Sequence, residues 1–302
     1  MKTFWTLTKR NVKLFFKDKG LFFSSLITPL ILLILYSTFL ANVYREAFVE
    51  NKNGMEISEK LIDGMVAGEL ISSLLAVSCI TVAFCSNLLM IQDKVSGAKK
   101  DFLVSPVKES TVSISYFAAT FLSTIIVSLT AAAACLIYVA VKGWFMSFAD
   151  VLLLIADVFL LTLFGTALSS FINGFLSTNG QASAVGTIVS AGYGFLCGAY
   201  MPIASFGKWL QKVIMFMPGT YGTSLIRNHA MRGTFEELAG LIPNAAVADD
   251  VVTKIKDGVD CNIYFFGNNV EPWVMYLILI GSTLLILGAY VVASILMKKG
   301  KK

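Results

Sequence analysis

Residues 110–141 read STVSISYFAATFLSTIIVSLTAAAACLIYVAV and contain no charged side chain. A helix needs about 20 predominantly apolar residues to cross a membrane, so this stretch is long enough to span one. Five more runs of this kind cover residues 20–44, 70–92, 151–175, 182–201 and 272–297, and only Asp157 interrupts them. We therefore predict an all-α integral membrane protein with six transmembrane helices.

The overall composition supports this prediction. Of the 302 residues, 56% are hydrophobic and only 14% are charged, whereas a soluble domain carries about 25% charged residues. The net charge of +5 does not indicate nucleic acid as a partner, because the basic side chains lie at the ends of the apolar runs. There they set the orientation of a chain in the membrane.

The distribution of basic residues predicts this orientation. Three short segments, before Leu21, between Gln92 and Ser110, and after Met297, together hold 14 of the 24 lysines and arginines. Short segments rich in Lys and Arg stay on the cytoplasmic side. We therefore expect a multi-pass protein of the plasma membrane, in a bacterium, with both termini cytosolic and with extracellular loops at 42–69 and 202–272.

The first twenty residues precede any span and predict a separate element. On a helical wheel the basic side chains fall on one narrow arc and apolar side chains take the rest, which is typical of an amphipathic helix at a membrane surface. We predict a cytosolic interfacial helix at 1–20, followed by the transmembrane domain at 21–302. This helix either anchors the chain by its charge or also contacts a cytosolic partner. The arc consists of Lys2, Lys9, Arg10, Lys13 and Lys17.

The two long outer segments differ in character. Residues 42–69 are rich in glutamate and predict a solvated loop or hairpin. Residues 203–231 are too apolar for an ordinary loop, and prolines bracket a helical pattern there, so we expect an interfacial or re-entrant helix pair. Residues 233–269 alternate charges with valines, which predicts a small amphipathic helix in an extracellular cap.

Catalytic and metal-binding motifs are absent from the sequence. No phosphate-binding GxxxxGK[ST] loop and no Cys-x-x-Cys pair occur, so we expect no catalytic residue, no metal and no cofactor in this chain. His229 is the single histidine and has no carboxylate at metal-ligand spacing. Asp157 lies within about two helical turns of the outer end of its span. We expect it to reach the interface or to pair with Lys142, although a transport role stays open.

The sequence of one inner loop indicates a protein family more specifically than the composition does. Residues 93–107 read DKVSGAKKDFLVSPV, which resembles the acidic–basic–x–x–Gly…Leu-Leu-x-x-Pro loop of type-2 ABC exporter permeases. In that family the loop carries the coupling helix that docks on the ATPase. Val95 stands where the family often has an acid. The residues that the resemblance assigns to coupling are Asp93, Lys94, Gly97, Phe102, Leu103, Ser105 and Pro106.

A second resemblance lies after the fifth predicted span. The family carries an outer Pro-Ile…Trp-Leu…Pro-x-Thr-Tyr…Arg pattern, and this chain is similar between residues 202 and 227. We predict an outer gate formed by these residues. Residues 233–269 resemble nothing in the family and indicate an insertion. The matching gate residues are Pro202, Trp209, Pro218, Tyr221 and Arg227.

The resemblance also implies the assembly. It implies two permease copies, or this chain with a paralogue, and two ATP-binding subunits that hold ATP and Mg²⁺, with membrane lipid around them. The pathway then lies at the interface between permeases, near the first, second and fifth spans. The candidate pathway residues on the second and fifth spans are Ser78, Thr81, Asn87, Tyr193, Phe195 and Tyr200.

Three functions remain distinguishable. The first is export of an amphiphile, such as a drug, antibiotic, lipid-like molecule or peptide, because the predicted pathway wall is mildly polar and uncharged. The second is export of a lipid-linked polysaccharide, for which rows of aromatic side chains would be expected. The third is ion-coupled secondary transport, which usually requires several intramembrane carboxylates and an internal repeat.

Overall fold

The computed structural model describes residues 2–50, 57–104 and 107–299, and these are almost entirely helical. Helix α1 spans Lys2–Lys17 and α2 spans Lys19–Leu35. Asp18 separates them and caps α2, because its carboxylate accepts a hydrogen bond from the backbone N–H of Leu21 at 3.1 Å. The amphipathic helix predicted at 1–20 is thus present as α1.

Helix α2 continues without a break into the segment predicted to be an outer loop. A π-helical segment, Tyr36–Leu40, joins it to α3, Ala41–Glu50. One side of the combined helix is buried in the core, through Leu32, Tyr36, Leu40, Tyr44 and Phe48. The prediction of a solvated loop at 42–69 is therefore wrong for the described residues, because successive turns of this glutamate-rich segment carry apolar side chains that pack inward.

Helix α4, Glu59–Val95, is the centre of the bundle. Ser58 caps its first turn by accepting a hydrogen bond from the N–H of Leu61 at 3.2 Å. Most of its side chains are buried, and it packs against α2, α6, α7, α8 and α10. A helix buried on all sides must place any charged residue against a partner, which becomes important at Glu69.

The remaining helices surround α4. The inner loop forms a seven-residue helix, α5, Ala98–Val104, and α6 and α7 span Glu109–Lys142 and Phe148–Phe175. Helix α8 spans Asn179–Leu196. A 3₁₀ turn, Ile203–Ser205, precedes α9, Lys208–Ile214, and α10, Pro218–Gly240. Helix α11, Ala245–Gly258, and a hairpin of β1, Tyr264–Phe265, and β2, Asn268–Asn269, lead into α12, Pro272–Lys299.

Five helical segments in the described part of the chain are long and apolar enough to cross a membrane. They match the first, second, third, fourth and sixth predicted spans, so the all-α membrane fold is confirmed. Helix α8 coincides with the fifth predicted span, but it is not among the five, and the count of six stays a prediction. The five segments are Lys19–Glu46, Glu59–Val95, Glu109–Lys142, Phe148–Phe175 and Pro272–Ala293.

The segment at 202–272 is not an extended loop. The expected helix pair corresponds to α9 and α10, and α10 is a 23-residue helix that packs against α4, α7 and α12. Whether the pair enters the outer leaflet stays a prediction. The expected amphipathic helix in 233–269 is present as α11, whose inner face consists of Ala248, Val251, Val252 and Ile255.

Candidate coupling surface and transport groove

Asp93, the first residue of the family-like loop, is buried at the end of α4 and tied to the N-terminal helix. Both of its carboxylate oxygens accept hydrogen bonds from the guanidinium of Arg10, and the pair involving Nη2 and Oδ1 is 3.0 Å. The Tyr116 hydroxyl donates to Oδ2 at 2.6 Å. Arg10 therefore faces the loop, and the position of the basic arc at a membrane surface stays a prediction.

The loop turns at Gly97 and then forms α5. Gly97 has φ +89°, a conformation that glycine adopts without a steric penalty. Phe102 on α5 is half-buried, and the guanidinium carbon of Arg10 lies 5.1 Å from its ring centroid, a cation–π distance. Val104, at the end of α5, is 89% exposed. The expected brief helix is confirmed.

The structure does not describe the side chains of three predicted coupling residues. Ser105 and Pro106 lie outside the described residues, and Leu103 is described only as part of the α5 backbone.

Lys94 links the end of α4 to the loop between α7 and α8. Its ammonium group donates hydrogen bonds to the carbonyl oxygen of Leu176 at 2.6 Å and to the hydroxyl of Ser177 at 3.2 Å. These two residues lie between the end of α7 and the start of α8. The Lys94 side chain therefore connects the end of α4 to the turn that precedes α8.

Helix α8 forms one wall of a groove of about 760 Å³, and α2 forms the opposite wall. Apolar side chains dominate the lining, and several hydroxyl groups are distributed along it. Among the residues that the structure describes, none with a charged side chain lines the groove. Two predicted pathway residues, Phe195 and Tyr200, lie on it, together with Ile27, Ile31, Phe39, Ser24, Thr28, Ser183, Thr187 and Ser190.

The other predicted pathway residues do not line this groove. Ser78, Thr81 and Asn87 are buried inside the bundle. Asn87 donates hydrogen bonds to Thr120 and Ser170 at 3.2 and 3.0 Å and accepts one from Asn173 at 3.2 Å. This network joins α4, α6 and α7.

Tyr193 points the other way from Phe195. It lines a separate apolar cavity of about 240 Å³ between α4, α7, α8, α10 and α12. The groove and this cavity therefore lie on different faces of α8.

The predicted gate residue Arg227 is buried in an ionic network. Its guanidinium contacts Glu69 at 2.6 Å, Asp260 at 3.7 Å, the Ser73 hydroxyl at 3.0 Å and the Gly198 carbonyl at 3.0 Å. These partners come from α4, from the turn after α8 and from the cap. Arg227 therefore ties three parts of the chain together at one point.

Gly198 is required by this network. It has φ +73°, and an added Cβ would lie 2.8 Å from a carboxylate oxygen of Asp260. Asp260 also accepts a hydrogen bond from the N–H of Ile203 at 2.9 Å. Burial raises the pKa of Asp260 to about 6, although the positive charge of Arg227 opposes this shift.

The other gate residues are spread out. Pro218 occupies the first turn of α10, a position where its missing N–H costs nothing. Tyr221 donates its hydroxyl to the Met215 carbonyl at 2.6 Å, whereas Trp209 is exposed on α9. Pro202 lies beside a smaller cavity of about 320 Å³ between α3, the turn after α8 and α11.

Asp157 has different partners from those expected. One of its carboxylate oxygens lies 2.5 Å from Nδ1 of His229, and the other accepts a hydrogen bond from the Tyr276 hydroxyl at 2.5 Å. The expected pairing with Lys142 is wrong, and His229 does have a neighbouring carboxylate. The sequence hid this contact because α7, α10 and α12 bring distant positions together.

Sequence reasoning also missed Glu69, which it assigned to a solvated loop or hairpin, and Asp260, which it assigned to the extracellular cap. The available signal in the sequence was the set of charged residues that lie beside apolar runs. Because a buried arginine requires carboxylate partners, such residues are candidates for a buried ion pair. Within the described ranges, no group of three His, Cys, Asp or Glu side chains could hold a metal ion.

Long apolar helices around a buried central helix define a polytopic α-helical membrane protein. The family model of ABC-2 type transporters matches residues 2–230, so the chain belongs to the ABC-2 type transporter family. The matched part includes the inner loop, the groove and Arg227, and it ends just before the segment that the sequence sets apart as an insertion. No curated protein sequence matches the chain. Membrane domains of this family are permease components that generally work with an ATP-binding subunit.

Proposed function

We propose that this chain is the permease subunit of an ATP-driven exporter that moves an amphiphilic molecule out of the cell. A separate subunit binds ATP and Mg²⁺ and hydrolyses the nucleotide. One observation carries the proposal: Lys94, in the family-like inner loop, is hydrogen-bonded to the segment that connects α7 to α8. A motor that moves α5 thereby moves a wall of the groove.

The groove supports a pathway shared between two permeases. It is open on one side, and the α8 wall carries small residues. A Cβ added at Gly186 or Gly192 would meet no atom within 4 Å, so another helix can approach closely there. A second copy of this chain, or a paralogue, would close the groove into a conduit.

The lining of the groove supports an amphiphile as cargo. Ligand sites for such molecules are mostly apolar and have a few polar groups that fix orientation. Here Thr28, Thr187 and Ser190 supply hydroxyls among isoleucine, leucine and phenylalanine side chains. A lipid-linked polysaccharide is the alternative cargo, and it would require aromatic surfaces along more of the path than Phe39, Phe195 and Tyr200 provide.

A proton-coupled transporter is the second candidate. The buried Asp157–His229 contact and the buried Glu69 favour it, because intramembrane ionisable groups often form proton relays. The family match and the coupling-like loop support ATP as the energy source instead.

The test is reconstitution with the ATP-binding protein encoded nearest to this chain. The two proteins should co-purify, and in inverted vesicles an amphiphilic dye should accumulate only when MgATP is present. A catalytic-glutamate variant of the ATPase is the control. If the dye accumulates without ATP, and if a protonophore abolishes this accumulation, the result would favour the proton-coupled candidate. A deletion strain with lost surface polymer and unchanged drug sensitivity would identify polysaccharide as the cargo.

A further inference from the structure

Three phenylalanine side chains form a cluster where the β1–β2 hairpin meets the end of α9. The ring centroids of Phe265 and Phe266 are 4.8 Å apart, and Phe216 lies 5.4 Å from Phe265 and 6.2 Å from Phe266. Phe216 is 64% exposed and Phe266 is 62% exposed. We call these three side chains the phenylalanine tip, and its exposure separates it from the core.

The tip is held rigidly beside the first turns of α12. The N–H of Val270 donates to the carbonyl of Ile263 at 2.8 Å, which closes the base of the hairpin. Both residues pack in a buried cluster with Tyr221 and Met275. The hairpin therefore cannot swing freely, and its apex keeps a defined place next to the start of a membrane-spanning helix.

The turn of the hairpin carries a phenylalanine at a position where the backbone conformation favours other residue types. Phe266 has φ +48° and Gly267 has φ +88°, the pair of positive values that tight hairpin turns adopt. Asparagine, aspartate or glycine would occupy the first position at lower cost, because bulky residues are uncommon at positive φ. The ring of Phe266 contacts the other rings of the tip and is otherwise 62% exposed, so most of its apolar surface is free to meet something outside the chain.

The surroundings of the tip indicate lipid. Helix α12 is a candidate span whose outward side chains, including Leu277 and Leu284, are exposed, and in a bilayer they face acyl chains. Trp273 in its first turn is 64% exposed, as expected where tryptophan marks the membrane interface. The phenylalanine tip continues this apolar surface at the end of the helix.

Two exposed lysines complete the pattern. Lys208 and Lys212 lie one turn apart on α9, and Phe216 follows four residues later. A basic side chain next to an apolar cluster matches the layering of lipid phosphates over acyl chains.

We propose that the phenylalanine tip inserts into the boundary between headgroups and acyl chains of the phospholipid bilayer, with Lys208 and Lys212 against lipid phosphates. The tip and α9 then anchor the cap, including α11, to one leaflet. This proposal does not depend on ATP, cargo or direction of transport.

Spin labels at introduced cysteines test the proposal in the full-length protein. The cysteines in the described part of the chain are buried, so a label attaches preferentially at Phe266→Cys or Phe216→Cys. The control is Val247→Cys on α11, an apolar residue that is 48% exposed. The protein is reconstituted in phosphatidylcholine–phosphatidylglycerol vesicles, where oxygen partitions into the bilayer and a neutral nickel chelate stays in water.

We expect labels at 266 and 216 to collide with oxygen several-fold more than with the nickel chelate, and the label at 247 to show the reverse. Equal nickel accessibility at all three positions would overturn the proposal. Labels at 266 and 216 that are immobile and shielded from both reagents would also overturn it, because a protein surface would then cover the tip.

Discussion

Arg10 and Asp93 form a two-pronged ion pair that joins the N-terminal helix to the inner end of the central helix. The same guanidinium lies against the ring of Phe102 on α5. Arginine suits this position because its planar group can hold a carboxylate with two hydrogen bonds and stack on an aromatic ring at the same time. Helix α1 and α5 should therefore move as one unit when a partner pushes on either.

Replacing Arg10 should weaken this unit without preventing membrane insertion. Arg10→Lys keeps the charge but loses the second hydrogen bond, and we expect substrate-stimulated ATP hydrolysis by the complex to fall several-fold. Arg10 is partly exposed, so the loss of stability should be only about 1 kcal/mol. Lys13→Ala, on the exposed side of α1, is the control. Equal effects of the two substitutions would contradict the role of Arg10.

Val104 should contact the partner subunit more directly than Phe102, one of the coupling residues that the resemblance assigns. Val104 projects from the end of α5, whereas Phe102 packs on the chain's own side chains. We expect Val104→Asp to weaken co-purification with the ATP-binding subunit and to leave the thermal stability of the isolated permease unchanged. Phe102→Asp should lower both. Val95→Asp, an exposed position in the same loop, should change neither.

Lys94→Met should uncouple ATP hydrolysis from transport, because methionine keeps the length of the side chain but cannot donate to Leu176 and Ser177. We expect fewer dye molecules moved per ATP hydrolysed, with assembly intact. Lys94→Arg should restore part of the coupling, since it can still donate. Lys108→Met, an exposed lysine just before α6, should behave as wild type. An unchanged transport ratio in Lys94→Met would remove this contact from the mechanism.

Removing Arg227 should destabilise the protein strongly. Arg227→Gln leaves Glu69 and Asp260 buried without a cation, which costs about 3–5 kcal/mol in comparable sites. Thermal unfolding in detergent should show a large loss, and Glu69→Gln in the same chain should recover part of it. The matched control is Arg45, which also pairs with two carboxylates, Glu59 and Asp63, but near the surface. Arg45→Gln should cost less than about 1 kcal/mol.

The raised pKa of Asp260 predicts a pH dependence of stability. Its pKa is about 6 in the folded protein and about 3.9 in an unfolded chain, so the folded state binds the proton more tightly. The resulting stabilisation is complete below pH about 4 and is lost as the pH rises through about 6. Asp260→Asn should flatten the melting temperature over this range, and Asp249→Asn, on the exposed face of α11, should not. An unaltered slope in Asp260→Asn would contradict the assignment.

The sequence was sufficient for five of the six predicted membrane helices, because length and apolar character alone decide whether a segment can span a bilayer. It also located the inner loop, whose residue types and spacing are specific. The segment at 42–69 was mispredicted because the prediction counted its charged residues. The apolar residues that recur on one side of the helix were given too little weight. The buried contacts of Glu69, Asp157 and Asp260 depend on which helices become neighbours, and a local pattern carries no information about that.

The buried residues of the continuous helix from α2 to α3 recur at every fourth position from Leu32 to Phe48. An α-helix advances about 100° per residue, so each four-residue step turns the face by about 40°, and a regular helix would twist this stripe by about 160°. The wider turn at Tyr36–Leu40 holds one surplus residue and sets the helix back by about 100°. The wider turn therefore offsets most of this rotation of the buried face. It keeps Tyr36 and Tyr44 on the same side of the helix, with their rings stacked in parallel and their centroids 5.8 Å apart.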